Sequence, residues 1–273
     1  MIFIIQNGRL GNQLFQYNFI KQLQKNKKEN IFFIGFSSLK KILNTRNLFF
    51  INNYFLEILI KYRSSLVSFL IKIKLFNVIY EDINKKIVTI SGFLKSITLV
   101  DGYFVDPKIV DKIFFYNFNI NKNKKLSNFQ NAYFVHIRRG DFLNWPNNKS
   151  NALINEQWFI DCMKKIKKIN NKANFYLFSD EINKINNKKL LDKCIILNLG
   201  DIDSFKFMCN CVGGILSAST YSWWAAYFSR YIIYSKSGPY YAPNYWAGFN
   251  KKKFYPKNFK FSSFLKFIKV NTK

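Results

Sequence analysis

The chain has few of the residues that build metal centres and disulfide frameworks. Its 273 residues include one histidine, His136, and four cysteines, Cys162, Cys194, Cys209 and Cys211, with no Cys-x-x-Cys pair. A structural zinc site needs about four such ligands at short spacings, so the sequence predicts no metal site. The cysteines are expected to be reduced and buried, which is typical of proteins inside the cell.

The chain also lacks the patterns of a membrane span and of a secretory leader. The longest apolar region, residues 66–80, contains Lys72 and Lys74 and is shorter than the roughly 20 residues that a spanning helix needs. Residues 1–6 have neither the basic start nor the cleavage site of a signal peptide. We therefore expect a cytoplasmic protein.

Acidic residues are scarce, since 15 Asp and Glu stand against 43 Lys and Arg and give a formal charge of +28. Such a charge favours nucleic acid, an anionic membrane surface or an anionic ligand as a partner. The lysines, however, occur in pairs scattered along the chain among many Asn, Ile, Phe and Tyr residues, which is more typical of compositional drift than of one basic groove. We expect peripheral contact with anionic lipid on the inner membrane face and no nucleic-acid partner.

Strand patterns alternate with helix patterns, most regularly in the second half of the chain. The strands predicted there are 133–137, 174–179, 194–199, 213–217 and 231–234. This alternation predicts a parallel sheet covered by helices, and the first half is a less regular version of the same plan. The Asn- and Lys-rich stretch 117–131 is the most linker-like, so we predict an α/β protein with domains 1–125 and 126–273. Packing of the C-terminal tail back on the first domain stays open.

The strand at 133–137 ends in the sequence His136-Ile137-Arg138-Arg139-Gly140-Asp141. Ligands of open α/β sheets bind beyond the carboxyl ends of the strands, and the guanidinium fork of arginine can hold two phosphate oxygens at once. The pattern therefore predicts an anion site. A strand end with solvated charges fits as well, and His136 equally fits a buried core histidine.

Two further strand ends are predicted to reach the same edge of the sheet. They carry Ser179 and Asp180 on one side and the hydroxyl-rich run Ser219, Thr220, Tyr221 and Ser222 on the other. Hydroxyls at a helix N-terminus can bind phosphate oxygens, and a carboxylate can accept hydrogen bonds from a purine, so the set matches a nucleoside diphosphate. Simple helix capping by Ser219, Thr220 or Asp180 is the alternative, and Trp223 and Trp224 are more typical of a core.

A glycine loop joins the first strand, 2–5, to the first helix. Gly8 and Gly11 would let the backbone approach a ligand closely, and Asn12 lies where the free N–H groups of the helix point outward. Because glycine turns between a strand and a helix are common for structural reasons alone, this loop by itself is weak evidence for a ligand site.

Together, these segments resemble the bacterial α-1,2-fucosyltransferases of glycosyltransferase family 11. The segments that carry the resemblance, in family order within residues 4–246, are 8–17, 136–141, 178–180 and 219–224. The resemblance implies a GT-B architecture, in which two Rossmann-like domains face each other across a cleft. It also implies inverting transfer of L-fucose from GDP-β-L-fucose to the 2-hydroxyl of a galactose-type acceptor, an oligosaccharide or glycolipid of a surface glycan such as lipopolysaccharide or capsule.

The resemblance also implies roles for individual residues. Arg138, Asn12 and Asp141 would be catalytic, with Arg138 stabilising the charge that develops on the β-phosphate and no metal or cofactor required. The GDP-fucose contacts would come from residues that lie in the four motifs: Gly8, Gly11, Asn12, His136, Arg138, Arg139, Ser179, Asp180, Ser219, Thr220, Tyr221 and Ser222. Asp180 would read guanine, and the C-terminal domain would hold most of the donor.

Some features leave alternatives open. The fourth motif departs from the family pattern at Ala218, Thr220, Tyr221 and Ala225, which leaves the choice of acceptor undefined. No carboxylate stands out as the base that removes the acceptor proton, and Asp101, Asp141 and Glu156 are the candidates. Another GDP-sugar or acceptor linkage is the nearest alternative function, and a basic nucleic-acid-binding protein is the alternative from another class.

Overall fold

The protein folds into two compact units, Met1–Asn119 and Ile120–Lys273. The computed structural model describes residues 1–24, 29–44, 48–51, 58, 60–82, 86–105, 110, 118–120, 129–144, 146–147, 150–151, 153–233, 238–244 and 265–268. The predicted domain boundary after residue 125 lies in 121–128, outside the described residues. Most of the C-terminal tail, whose position was left open, is outside them too.

The first unit is built around a six-stranded sheet. Its strands are β1 (Ile2–Ile5), β2 (Ile31–Ile34), β3 (Phe49–Ile51), β4 (Phe76–Glu81), β5 (Ile87–Ile90) and β6 (Leu94–Asp101). Its helices are α1 (Leu10–Gln24), α2 (Ser37–Lys40) and α3 (Arg63–Ile73). Apolar residues of β1 and α1, including Ile4 and Leu14, are fully buried and anchor this unit's core.

The strand order of the first sheet is β3-β2-β1-β6-β4-β5, and β5 runs antiparallel to β4 while the other pairings are parallel. The chain moves outward from β1 through β2 and β3 and then crosses to the other side of β1. The order therefore reverses between β1 and β6, and such a switch point opens a ligand crevice beyond the carboxyl ends of the two strands. The glycine loop follows β1 at this crevice.

The second unit repeats the plan with more regular parallel pairing. Its main sheet is formed by β7 (Ala132–Ile137), β10 (Asn174–Ser179), β11 (Ile195–Ile196), β12 (Gly213–Ile215), β13 (Tyr240–Pro243) and β14 (Leu265–Ile268), and β8 (Pro146–Asn147) pairs with β9 (Ser150–Asn151) in a separate hairpin. Its helices are α4 (Glu156–Ile169), α5 (Lys188–Leu191), α6 (Asp201–Asn210) and α7 (Thr220–Phe228).

The order of this second sheet is β11-β10-β7-β12-β13-β14, with parallel pairing between its described strands. The order reverses between β7 and β12, so the switch point lies beyond Ile137 and Ile215. All six residues of β7 are buried, as expected for a central parallel strand that is covered on both faces.

The predicted fold class, α/β with two Rossmann-like units, is confirmed. The predicted strand 231–234 is wrong, because Ser229–Ile233 continues α7 as a π-helical turn and the next strand is β13. The aromatic run of α7 explains the difference: the rings of Tyr227 and Tyr231 lie 5.0 Å apart, which is the side-chain spacing of successive helical turns.

The helices within the described residues are all too short or too polar to cross a lipid bilayer.

Candidate functional site

Ser217 joins the two strand ends at the switch point of the second unit. Its hydroxyl donates to the carbonyl of His136 at 2.7 Å and accepts from the backbone N–H of Arg138 at 2.8 Å. Ser217 is 2% exposed, so both bonds are shielded from water. The position of the Arg138 backbone is therefore set by the end of β12 as well as by β7.

The Arg138 guanidinium is held by two carboxylates. Nε and Nη2 donate to Asp141 Oδ1 at 3.0 and 2.7 Å, and Nε also lies 3.1 Å from Asp180 Oδ2. The Asp141 side chain is 57% exposed, whereas those of Arg138 and Asp180 are 13% and 16% exposed. An anion that approaches from solvent can thus replace Asp141 while Asp180 keeps the arginine oriented.

Asp180 follows β10 in the chain, but its carboxylate is bonded to the loop that follows β7. Its Oδ1 accepts from the backbone N–H of Arg139 at 2.8 Å. A Cβ on Gly140 would lie 2.4 Å from Asp180 Oδ2, so only glycine leaves room for this carboxylate. The bonds of Asp180 to Arg138 and Arg139 differ from those of a helix cap, which was the alternative, and its contact with guanine stays a prediction.

Arg139 is 4% exposed and its guanidinium is turned into the protein. Nη1 donates to the carbonyl of Arg138 at 3.2 Å, and Nη2 donates to Glu156 Oε1 at 2.7 Å. Glu156, the first residue of α4, also accepts from the backbone N–H groups of Asn187 at 2.7 Å and Asn186 at 3.3 Å. Arg139 and Glu156 therefore shape the loop, and they form one wall of a cavity of about 500 Å³.

The bonds that connect Glu156 to Arg139 were not predicted from the sequence. The sequence singled out Glu156 only as a candidate base, because nothing in its local pattern connects it to an arginine 17 residues earlier. Its place just after the cap residue Asn155, at the N-terminus of α4, was the available signal. A carboxylate is favoured there by the helix dipole.

His136 is a buried, neutral histidine. Its side chain is 3% exposed, and burial, reinforced by the nearby charge of Arg138, lowers its pKa from 6.5 to about 3. Its ring lies 5.5 Å from the ring of Tyr221. Nδ1 has no hydrogen-bond partner among the residues that the structure describes, which is uncommon for a buried nitrogen.

The hydroxyls at the start of α7 are partly used inside the protein. Ser219 caps the helix by accepting from the N–H of Tyr221 at 3.3 Å, as the capping alternative proposed. The hydroxyl of Tyr221 donates to the carbonyl of Asp201, and its pKa is raised chiefly by burial. Ser222 is fully buried and donates to the carbonyls of Ser219 at 3.2 Å and Ser217 at 3.4 Å.

The remaining residues of these motifs divide between core and site. Trp223 and Trp224 are buried, at 2% and 0% exposure, which confirms that they belong to the core. The hydroxyl of Ser179 accepts from the N–H of Glu181 at 3.3 Å. Thr220 is partly exposed at the N-terminus of α7, where a ligand can reach it.

In the first unit the glycine loop is shaped around Asn12. Gly8 has φ +80°, and a Cβ there would lie 2.3 Å from Asn12 Nδ2. Asn12 is partly exposed, whereas Gly11 is buried within α1. Gln13 supports the loop, since Nε2 donates to the carbonyl of Gly8 at 3.3 Å and Oε1 accepts from the N–H of Leu39 at 3.0 Å.

Gln16 is a second support that sequence reasoning missed. It is fully buried, donates from Nε2 to the carbonyls of Ile5 at 3.1 Å and Gly102 at 2.9 Å, and accepts from the N–H of Asn7 at 3.1 Å. One side chain thus fixes the ends of β1 and β6 on both sides of the switch point. The available signal was an amide on the face of α1 that the sheet must bury.

Asp101, a candidate base, ends β6 in the same unit. Its Oδ1 lies 2.7 Å from Arg63 Nε, and Arg63 Nη1 donates to the carbonyl of Gln6 at 3.5 Å. Burial raises the pKa of Asp101, the charge of Arg63 opposes this shift, and Glu81 adds to it. The carboxylate is therefore held at the crevice beside the glycine loop.

The cysteines are free thiols; Cys162, Cys209 and Cys211 are buried and Cys194 is partly buried. Burial raises the pKa values of Cys162 and Cys194 to about 12. Within the described part of the chain, no three His, Cys, Asp or Glu residues are grouped so that they could hold a metal ion.

The predicted site residues therefore lie in both units, and those within each unit lie close together. Arg138, Arg139, Asp141 and Asp180 meet in the second unit, with His136 beside them. In the first unit, Gly8 and Asn12 are in contact.

The family model for glycosyl transferase family 11 matches residues 1–235. The chain belongs to this family. It is therefore a glycosyltransferase, and the family that the motifs predicted is confirmed.

The chain also has more distant similarity to individual known proteins. The chain is 28% identical over 257 residues to an alpha-1,2-colitosyltransferase of Escherichia coli, covering 83% of this chain and 87% of that protein. Among solved structures, the alpha-1,6-fucosyltransferase NodZ soaked with GDP-fucose is similar at 9% identity and a TM-score of 0.41, covering 82% of this chain and 91% of NodZ. The fucosyltransferase NodZ from Bradyrhizobium has a TM-score of 0.44 with the same identity and coverage.

Proposed function

We propose that this family 11 glycosyltransferase transfers L-fucose from GDP-β-L-fucose, with inversion, to the 2-hydroxyl of a galactose-type acceptor. The observation that carries the proposal is the position of Arg138 at the switch point of the second sheet. There it is held by a mostly shielded carboxylate and by an exposed one. A guanidinium so placed can bind a phosphate that approaches from solvent.

The donor diphosphate would exchange with Asp141 at the Arg138 fork. Arg138 would then face the β-phosphate oxygens, while Asp180 keeps its Nε oriented at 3.1 Å. The N-terminus of α7, where Thr220 is partly exposed, adds a favourable helix dipole for the same anion.

Arg138 supplies the electrostatic part of catalysis. As the bond between the sugar and the β-phosphate breaks, negative charge grows on GDP, and a preorganised donor at that place is typically worth ~3 to 4 kcal/mol. The Arg139–Glu156 pair and Ser217 hold Arg138 in position before the substrate arrives. We propose that the reaction needs neither a metal nor a cofactor, since the cationic side chain does the work of a cation.

In the second unit, Asp141 is the proposed base that removes the proton from the acceptor hydroxyl. Its carboxylate is 57% exposed, whereas Glu156 is 16% exposed and accepts from Arg139, Asn186 and Asn187. Once a donor phosphate has taken its place on Arg138, Asp141 is free to accept a proton.

The 2-linkage of the product is supported by the relative that is 28% identical, whose name specifies an alpha-1,2 linkage. The same relative favours a second donor, GDP-colitose. Colitose is L-fucose without the 3-hydroxyl, so the two donors differ by one hydrogen-bonding group. A site that forms a hydrogen bond with this hydroxyl discriminates against the deoxy sugar by about 10⁴-fold or more, whereas an apolar site accepts both sugars.

The direct test is a donor and acceptor panel with the purified full chain. GDP-fucose, GDP-colitose and GDP-mannose are each incubated with β-galactosides, with and without a chelator, and the product linkage is read by NMR. We expect 2-linked fucose, unaffected by the chelator. No transfer, no donor hydrolysis and no GDP binding would together contradict the proposal, and preference for GDP-colitose would select the second donor.

The acceptor is proposed to be an oligosaccharide or glycolipid precursor of a surface glycan, such as lipopolysaccharide or capsule. We propose that this precursor is assembled on the cytoplasmic side of the inner membrane. The proposed location is therefore the cytoplasm, with peripheral contact to that membrane through the excess of basic residues.

A further inference from the structure

Helix α3 presents a broad apolar surface that is only partly covered. Val67 is buried in the core of the first unit, and Leu66 packs against that core. At one edge of this surface, Tyr62 at the N-cap, Phe69 and Ile73 form an exposed stripe, at 57%, 58% and 47% exposure. At 100° per residue these three side chains lie within about 40° of one another on the helix. A surface helix normally turns its apolar residues toward the core, so this exposed stripe needs a cover.

The exposed stripe continues into the turn before β6. Phe93 is 86% exposed and its N–H donates to the carbonyl of Lys74 at 2.8 Å, so it lies directly beside the C-terminus of α3. Leu94, which is also exposed, donates to the carbonyl of Leu75 at 2.8 Å. We call the group formed by these side chains the α3 patch: Tyr62, Phe69, Ile73, Phe93 and Leu94.

Exposed lysines accompany the α3 patch in both of its segments. Lys61, Lys72, Lys74 and Lys95 are exposed along its two segments. The sequence has no Asp or Glu in residues 58–76 or 86–100, which contain the whole patch. Exposed apolar side chains flanked by lysines are complementary to the interface of an anionic bilayer, where apolar side chains enter the acyl boundary and lysines reach the phosphates.

Most of the patch lies away from the candidate site. Phe93 and Leu94 lie at the amino end of β6, whereas Asp101 and the crevice lie at its carboxyl end. Tyr62 is the exception, because it precedes Arg63, which contacts Asp101. A surface that contacts the amino edge of this sheet leaves the glycine loop uncovered.

We propose that the α3 patch binds the surface of an anionic membrane. A second copy of the chain is a poorer occupant, because pairing two patches would bring their lysines together in a protein that already carries +28. An anionic bilayer instead neutralises these lysines while it covers the aromatic side chains. The inference deepens the peripheral contact within the proposed function, but it does not depend on the identity of the donor.

The test is co-sedimentation of the full chain with lipid vesicles, in the absence of donor and acceptor. We expect binding to phosphatidylcholine vesicles that contain about one third phosphatidylglycerol and much weaker binding to phosphatidylcholine alone. Binding should fall as NaCl is raised from about 0.1 to about 0.5 M. The double variant Phe69→Ser/Phe93→Ser should lower the partition coefficient about tenfold or more. Lys72→Gln/Lys95→Gln should lower it about fivefold per lysine.

Matched controls separate the patch from general charge and stickiness. Ile169→Ser removes a side chain that is 61% exposed in the second unit, and Lys165→Gln/Lys168→Gln removes the same charge from α4. Both should bind within about twofold of the wild type. Equal losses in the patch and control variants, or no binding of the wild type, would overturn the proposal.

Two further measurements distinguish other outcomes. If sedimentation analysis shows a dimer that Phe69→Ser/Phe93→Ser dissociates and vesicles do not bind, then the patch joins two copies and the proposal is wrong. Donor hydrolysis by the same variants without membranes should equal that of the wild type. A failure of vesicle binding with normal transfer would therefore refute the membrane surface and leave the proposed function intact.

Discussion

Arg138 combines a fixed position with one exchangeable partner. Ser217 and Asp180 hold its backbone and its Nε, whereas Asp141 is 57% exposed. This combination suits a residue that must be oriented before the substrate arrives and must then accept a phosphate.

The first prediction concerns this guanidinium. Arg138→Ala should lower kcat by about 100-fold or more, because the negative charge that develops on the leaving diphosphate loses the guanidinium that stabilises it. Arg138→Lys should recover only part of the activity, since an ammonium group cannot make the forked contact. Steady-state kinetics with the proposed donor measure both effects. Thermal unfolding confirms that the variants fold, and near-normal turnover of a folded Arg138→Ala protein would remove Arg138 from the mechanism.

His136 gives a prediction about stability and pH. Its pKa is about 3 in the folded protein and about 6.5 in the unfolded chain, so the unfolded chain takes up the proton first as the pH falls. Stability is therefore full above about pH 6.5 and is lost progressively between about pH 6.5 and pH 3. The loss between pH 7 and pH 5 should be about 2 kcal/mol.

Urea unfolding at these two pH values measures the effect, and His136→Gln is the control. Because His136 is the only histidine in the chain, the variant should show a clearly smaller loss over the same interval. Equal pH dependence in the two proteins would mean that the histidine is not kept neutral by burial.

At the level of elements, the glycine loop after β1 depends on a backbone conformation that side chains rarely adopt. Gly8→Ala should destabilise the first unit by about 1 kcal/mol or more at φ +80°. It should also displace Asn12, whose Nδ2 lies 2.3 Å from the new Cβ, and so lower turnover. Gly200→Ala is the matched control, because a Cβ there meets nothing within 4 Å. Unchanged kinetics in a folded Gly8→Ala protein would argue against a role for Asn12.

The N-terminus of α4 is the second element with a testable role. Glu156→Gln removes the charge that pairs with the buried Arg139, and breaking such a pair should cost about 2 to 4 kcal/mol. The loop that carries Arg138 should loosen as well, so KM for the donor should rise. Glu181→Gln, which removes the exposed partner of Lys184, should cost less than about 1 kcal/mol. If both variants unfold at the same urea concentration as the wild type, then the Arg139–Glu156 pair does not hold the loop.

For the whole molecule, the charge of +28 raises the question of whether the protein binds nucleic acid. Lysines spread over the surface should give only weak binding, with Kd values of about 1 to 100 μM for duplex DNA at physiological salt and a steep loss at higher salt. Fluorescence anisotropy over a series of salt concentrations measures this. Binding well below 1 μM at physiological salt would instead favour the nucleic-acid alternative.

The order of elements and the meeting of Arg138 with Asp180 at one edge of the sheet could be predicted from the sequence, because both depend on local patterns. Apolar runs that end in Gly8 or in Arg138 predicted strands followed by functional loops, and parallel topology places such loops at the carboxyl edge. Capping by Ser219 and burial of Trp224 follow from the same local chemistry. The end of α7 was mistaken for a strand because an aromatic run of this length suits either structure.

Local sequence patterns were sufficient to predict the family, the α/β class and the residue types that can bind a phosphate. Tertiary structure alone decided which partner each polar side chain has: Glu156 for Arg139, Ser217 for Arg138, and Gln16 for the ends of β1 and β6. These partners are separated by 11 to 86 residues along the chain, and only folding brings them within hydrogen-bond distance. It also decided that Phe69 and Phe93 are exposed, because burial depends on what packs against a side chain and not on its own hydrophobicity.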